Sequence, residues 1–193
     1  MKSVLFGLVG SVVFSLVAGF ASSEQVELRN PDGQLVRPPG DRAAKATVFV
    51  FVRADCPISN RYAPEIRRIA GKYRPRGVNF WLVYPGRKVS PADIRAHLRE
   101  YSYTLPALRD PEQKLVKLTG VQVTPEVAVF AGAGDQAKLV YHGRIDDRVA
   151  DFGKTRQTAS RHDLEEALDS ILNGEKVVTA VTPAIGCFIA DLE

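Results

Sequence analysis

Two nearly unbroken apolar runs organise this chain. Residues 46–52, Ala-Thr-Val-Phe-Val-Phe-Val, and residues 78–84, Val-Asn-Phe-Trp-Leu-Val-Tyr, are strand-length segments with almost no polar positions. Strands of that kind lie in the middle of a sheet covered on both faces, which makes Phe49, Phe51 and Trp81 core residues. Between the runs the period changes. Tyr62, Ile66, Ile69, Ala70 and Tyr73 recur at spacings of three and four, so residues 57–74 predict an amphipathic helix, with Pro64 inside it. Ser90-Pro91 opens a second helix through Ile94, His97 and Leu98 to about Tyr101. A short strand is expected at 105–108, and one or two helical turns at 112–118 closed by Gly120. Residues 126–131 and 138–142 form a hairpin across Gly132-Ala-Gly-Asp135. Residues 143–158 read as a polar loop. Ser160 is placed as the cap of a last helix, with Asp163 three residues on and an apolar face of Leu164, Ala167, Leu168 and Ile171. Gln25 to Arg29 alternates like an edge strand before the turn at Asn30-Pro-Asp-Gly33, and the tail is extended around Val177-Val178. Early crossovers followed by a late hairpin imply a mixed sheet with helices on both faces.

The first 23 residues stand apart from this pattern. Val4 to Phe20 is uncharged and apolar, preceded by Lys2 and followed by Ala21-Ser22-Ser23, the arrangement of a secretory signal peptide. The alternative is an uncleaved membrane anchor, since the run is near the minimum span of about 17 residues. The expected organisation is therefore a signal peptide (1–23), an N-terminal extension with the edge strand (24–45), one domain (46–175) and a C-terminal tail (176–193). The net charge of +4 falls to +3 without Lys2, too weak to indicate nucleic acid. Arg61, Arg67, Arg68, Lys72, Arg74 and Arg76 cluster after the first cysteine and read as a solvated helix face. His97, His142 and His162 lack ligand spacing, so neither a metal nor a cofactor is expected. Asp146, Asp147 and Arg148 read as a turn with a surface ion pair, or else as the rim of a site.

Cys56 and Cys187 are the two cysteines. Cys56 lies where a buried strand gives way to a helix, so the helix N-terminus favours its thiolate. Arg53 and Arg61 could add to that, and Asp55 opposes it. A local redox pair is excluded because Ser59 occupies the second position of C-x-x-C, though its hydroxyl can hydrogen-bond the Cys56 sulfur. Cys187 is the internal candidate for a second thiol. Its tail would have to cross the fold and bring the two Cα atoms within about 7 Å.

Cys56-Pro57-Ile58-Ser59 after a strand, Pro64 eight residues beyond the cysteine, and Val123-Thr124-Pro125 before a strand and hairpin together resemble the thioredoxin superfamily. The resemblance covers residues 46–173 and implies a three-layer α/β/α sandwich with a mixed central sheet. It also implies that Pro125 is cis and that Thr124, Pro125 and Pro57 bind substrate beside Cys56. The added material at 85–110 is similar to larger redoxins, exported thiol–disulfide proteins and the peroxiredoxin-like group. Cys-Pro-Ile-Ser-Asn-Arg-Tyr-Ala-Pro-Glu, Gly-Arg-Ile-Asp-Asp-Arg and a late Gly-Cys-x-Ile resemble a group of exported bacterial redoxin-domain proteins. Departures are specific. Asp55 replaces the aromatic residue before the cysteine, Val50 the buried acid, Arg53 the peroxidatic threonine or serine, and Asn60 the second cysteine of copper-delivery relatives. The resulting expectation is an exported thiol–disulfide oxidoreductase with Cys56 as nucleophile and Cys187 as candidate resolving thiol. Its partners would be protein thiols or disulfides, or a small thiol or peroxide, and not nucleic acid; a membrane enters only if the signal segment stays uncleaved. The alternatives are a peroxiredoxin-like peroxidase and a non-catalytic binding module with a structural disulfide.

Overall fold

The computed structural model describes residues 26–38 and 43–189. The expected signal peptide, residues 1–23, lies outside the described residues. Within them the elements run β1 (Leu28–Arg29), β2 (Leu35–Val36), β3 (Ala46–Phe51), α1 (Pro57–Tyr73), β4 (Val78–Tyr84), α2 (Pro91–Glu100), β5 (Ala107–Arg109), α3 (Lys114–Thr119), β6 (Val123–Thr124), β7 (Glu126–Ala131), β8 (Lys138–Gly143), β9 (Val149–Asp151), β10 (Lys154–Thr155), α4 (Asp163–Leu172) and β11 (Cys187–Phe188). Seven strands form a sheet in the order β2-β1-β5-β4-β3-β7-β8. The β3, β4 and β5 strands are parallel, while β7 and β8 are antiparallel.

The two apolar runs become β3 and β4 because both faces of the sheet are covered. Val48 and Val50 point to one face, where Ile66 and Ile69 of α1, Ile94 of α2 and Leu164 and Leu168 of α4 meet them. Phe49 and Phe51 point to the other, against Leu115 and Val116 of α3. This is the expected three-layer, thioredoxin-like α/β/α arrangement with a mixed sheet. Local chemistry sets the helix starts. Ser90 and Asp93 close a capping box at α2. The buried Asp110 carboxylate accepts the N–H groups of Lys114, Leu115 and Val116 at 2.7, 2.9 and 3.1 Å, satisfying the first turn of α3.

Three expectations need correction. The N-terminal strand is not the edge: β1 pairs with both β2 and β5, so the short β2 lies outside it. The supposed polar loop contains the β9–β10 hairpin. Ser160 does not cap α4, which begins after His162. Its N–H and hydroxyl instead bind the Asp147 carboxylate at 2.7 and 2.5 Å, because that acid is buried and requires donors. The basic residues from Arg61 to Arg76 are exposed as expected, and three of them also reach α4, Arg68 and Lys72 pairing with Glu165 and Arg76 with Asp169.

After α4 the tail turns back across the sheet. Val178 is exposed and unpaired in any ladder; the pairing falls further on, where Val181 bridges His142 of β8. The His142 N–H donates to the Ala180 carbonyl at 3.0 Å, and the Thr182 N–H to the His142 carbonyl at 3.2 Å. The Thr182 hydroxyl meets Tyr141 Oη at 2.6 Å and accepts from the Arg144 N–H at 3.2 Å. Gly143 makes this crossing fit: at φ 147°, a Cβ there would lie 2.3 Å from the Thr182 carbonyl oxygen. Gly143→Ala should therefore lower stability by about 1–3 kcal/mol and expose the tail to protease. Urea unfolding and limited proteolysis measure both, and an unchanged chain would show that this crossing carries no weight.

Candidate functional site

Cys56 is the N-cap of α1, with extended backbone (φ −94°, ψ 109°), and Pro57 supplies the preset φ of the first helical turn. The sulfur thus faces the unpaired N–H groups of that turn. The Ser59 N–H donates to Cys56 Sγ at 3.4 Å. The Ser59 hydroxyl is buried with no hydrogen-bond partner. On the far side, Cys56 Sγ lies 3.1 Å from the Thr124 carbonyl oxygen. The Thr124–Pro125 peptide bond is cis.

The tail completes the site. Its β11 strand pairs antiparallel with β6, placing Cys187 opposite Thr124 and Phe188 opposite Val123. The Ile189 N–H donates to the Gln122 carbonyl at 2.9 Å, and the Thr124 hydroxyl to the Cys187 carbonyl at 3.4 Å. Arg53 donates to both carboxylate oxygens of Asp55, at 3.0 and 2.7 Å, and to the Phe188 carbonyl at 3.1 Å. The two thiols, 131 residues apart in sequence, are both free, and the strand pairing brings Cys187 to the Thr124 backbone that Cys56 Sγ also contacts, near enough for each to shift the other's ionisation.

Their acidities diverge. Burial, the largest influence on Cys56, opposes its ionisation, yet donors from Cys187, Ser59 and Thr124 outweigh it and bring the Cys56 pKa down to about 7. Burial pushes Cys187 up to about 11, and the neighbouring Cys56 thiolate reinforces that. Asp55, whose charge opposes a thiolate, is neutralised by its pairing with Arg53. The Arg53 guanidinium in turn responds to the charge of both sulfurs.

Of the expected site residues, Cys56, Cys187, Ser59, Thr124, Pro125, Pro57, Arg53 and Asp55 therefore converge. Arg61 does not join them: its guanidinium donates to the Thr155 hydroxyl of the β9–β10 hairpin at 2.9 Å. Thr124 and Pro125 are buried, with the tail over Thr124. Asp146 and Asp147 are buried rather than a surface pair. Asp146 accepts from Tyr62 Oη at 2.5 Å and from Arg148 at 3.1 Å, and it borders a small cavity shared with Pro125 and Ile185.

Two supports had little sequence signal. Behind the cysteine loop, Tyr84 Oη meets His97 Nδ1 at 2.7 Å, and His97 Nε2 meets Asn60 Oδ1 at 2.9 Å. Asn60 Nδ2 then donates to the Ala54 carbonyl at 2.9 Å, pinning the chain just before Cys56. Burial lowers the His97 pKa, so the relay is held by a neutral imidazole. A histidine on the apolar face of α2 was the visible clue. Beneath the Thr124 loop, buried Glu126 accepts the Gln122 and Val123 N–H groups at 2.9 and 3.2 Å and faces His142 at 3.3 Å. Elsewhere, ligand atoms of Glu65, His162 and Glu165 approach within 4.8 Å, but Arg68 and Lys72 already neutralise the two carboxylates.

A cysteine capping the helix after the first central strand, facing a cis Thr–Pro loop, defines a thioredoxin-like redoxin site. The comparisons agree: residues 23–140, more than half of the chain, match the AhpC/TSA family model, and the chain belongs to that family. No curated protein matches it by sequence. It is similar in structure to an uncharacterized conserved protein from Geobacillus kaustophilus (28% identity, TM-score 0.71, covering 86% of this chain and 87% of that one). A hypothetical protein from Sinorhizobium meliloti is comparably similar (25% identity, TM-score 0.71, 86% and 90% covered). A secreted disulfide oxidoreductase of Mycobacterium tuberculosis shares the fold at 15% identity, with a TM-score of 0.51 and 78% and 96% of the chains covered.

The unequal thiols predict a selective titration. Alkylation at neutral pH should modify Cys56 first, with a rate midpoint near pH 7. Cys187→Ala removes a donor to the thiolate, so that midpoint should rise. Mass-resolved iodoacetamide kinetics across pH measures both; a midpoint that stays put in the variant removes Cys187 from the account.

Proposed function

We propose that this chain is an exported thiol–disulfide oxidoreductase whose working couple is Cys56 with Cys187. The observation that carries the reading is the strand pairing that sets Cys187 opposite Thr124, whose carbonyl accepts from Cys56 Sγ at 3.1 Å. In the oxidising half, the Cys56 thiolate attacks one sulfur of a substrate disulfide. That S–S bond breaks, a mixed disulfide forms, and the other substrate sulfur leaves as a thiolate. Cys187 then gives its proton to a leaving thiolate and attacks Cys56 Sγ. The substrate departs as a dithiol and the chain keeps a Cys56–Cys187 disulfide. Two electrons pass from the cysteine pair to the substrate, and the reverse sequence oxidises a substrate dithiol.

The lower pKa suits Cys56 to attack and to leave. Cys187 remains protonated until its attack, so it does not compete for the first step. The Ser59 N–H holds the thiolate, and Arg53 holds both Asp55 and the tail carbonyl. Export rests on the apolar run from Val4 to Phe20 with its small residues after it, and it would place the couple where disulfides persist.

Family membership supports a second reading at the same site, reduction of a peroxide by Cys56 to give a sulfenic acid and water or alcohol. Attack by Cys187 would release a second water and form the same disulfide.

With a disulfide-bonded peptide as oxidant, Cys56→Ser should abolish turnover. Cys187→Ser should retain one reaction at Cys56 and stop as a mixed disulfide visible by intact mass. Turnover persisting in Cys56→Ser would overturn the assignment, and a peroxide reaction at least about a thousandfold faster than the disulfide reaction would transfer it to the peroxidase reading.

A further inference from the structure

The tail is more than a carrier of Cys187: it occupies the backbone edge at Thr124. Edges of this type accept extended segments, with main-chain pairing supplying affinity and alternate side chains supplying selectivity. The occupant's register shows what this one accepts. Gly186 packs so closely that a Cβ there would lie 2.2 Å from the Thr124 carbonyl oxygen and 2.6 Å from its carbon. That obstacle is backbone on a cis-proline loop, so the strand would have to move away. Cys187 faces Cys56. Phe188 turns its ring to solvent, 69% exposed. Ile189, one strand period beyond Cys187, is buried in the cluster that contains Phe49, Leu115 and Val121. The edge thus distinguishes the residue before the cysteine, the cysteine itself and the second residue after it, and ignores the one between.

We propose that this edge is a polypeptide site selective for extended Gly-Cys-x-apolar segments, and that residues 186–189 are its resident ligand, which must leave before another chain's segment can enter. The tail is built for this. It is fastened at Val181-Thr182 to β8 and again at Cys187–Ile189 to β6, and Pro183 to Gly186 between them makes no backbone hydrogen bond among the described residues. The outer fastening can open while the inner one keeps the tail nearby, so the free segment competes against a tethered one at high effective concentration. The proposal rests on the thiol-exchange reading only in using Cys56 as its reporter.

The test uses the full chain carrying Cys187→Ser, alone and with Gly186→Val, which drives the resident strand off Thr124. The probe is the hexapeptide Ala-Ile-Gly-Cys-Phe-Ile with its cysteine activated as a 2-pyridyl disulfide. The Cys56 thiolate attacks the peptide sulfur, the S–S bond breaks and pyridine-2-thiolate leaves, with absorbance and intact mass following the mixed disulfide. Comparison peptides carry valine before the cysteine, or serine at the last position, and 2,2′-dithiodipyridine is the small reagent. The glycine peptide should outrun the valine peptide about tenfold, the equivalent of the roughly 1.4 kcal/mol expected of such a clash. The ratio of peptide rate to small-reagent rate should rise about tenfold in the Gly186→Val chain. Ile189→Ser opens the same strand from its buried end and should raise that ratio too, which guards against a misfolded Gly186→Val chain. Equal rates for the glycine and valine peptides, or a ratio that does not rise in either opened chain, overturn the proposal. If Cys56 reacts with no reagent, the thiol-exchange reading fails, and occupancy is then decided without it. The unreactive peptide Ala-Ile-Gly-Ser-Phe-Ile should accelerate hydrogen exchange at the Ile189 amide by displacing the tail, and an unaltered exchange rate overturns the proposal.

Discussion

The site depends on one short antiparallel ladder, in which Cys187 pairs with Thr124 and Phe188 with Val123. Thr124 is fixed from the other side, since its carbonyl oxygen lies 3.1 Å from Cys56 Sγ. Any strand that pairs with Thr124 therefore delivers its side chain to the sulfur. The close packing of Gly186 keeps the approach short, and the crossing of Thr182 over Gly143 aims the tail at it. A sulfur at the start of a helix and a sulfur 131 residues further along become neighbours through this ladder, with the Arg53 guanidinium and the Thr124 hydroxyl fastening the tail carbonyls.

The contact makes the two thiols chemically unequal. Both are shielded from water, and shielding by itself raises a thiol's pKa. Cys56 escapes because, although its S–H donates to the Thr124 carbonyl, the Ser59 N–H in the first turn of α1 and the side chains of Cys187, Ser59 and Thr124 favour its thiolate. Cys187 has no helix terminus and lies beside a negative sulfur, so it holds its proton. The proximity of the two sulfurs thus favours charge on Cys56 and opposes it on Cys187, which leaves them with unequal acidity. Arg53 ties this electrostatic arrangement to the ladder, because the same guanidinium neutralises Asp55 and grips the Phe188 carbonyl.

Most of the frame was legible in the sequence because it is local. Residues 46–51 and 78–84 are almost wholly apolar on both faces, the α1 period is unbroken from Tyr62 to Tyr73, and Ser90-Pro91 carries the cap and first-turn signature of α2. What was missed depends on distant partners. Ser160 has the look of a helix cap, but a buried acid thirteen residues upstream takes its donors. The β9–β10 hairpin is short, exposed and without alternation, so no period announces it. Cys56 was visible from its strand–helix junction, and Cys187 as the second sulfur. Their meeting was not legible, because it rests on backbone hydrogen bonds and on two absent Cβ atoms. The polar support from Tyr84 through His97 to Asn60 left one trace, a histidine on a helix face otherwise turned to the core.

The proposed function requires that Cys56 and Cys187 form one couple. The most direct measurement equilibrates the purified chain in glutathione buffers across a range of potentials, quenches with an alkylating agent and maps both cysteines by mass spectrometry. The two should lose reactivity together in a single two-electron transition, yielding a Cys56–Cys187 bond within one chain. Cys56 held as a glutathione adduct, or oxidised further while Cys187 stays a free thiol, would contradict it.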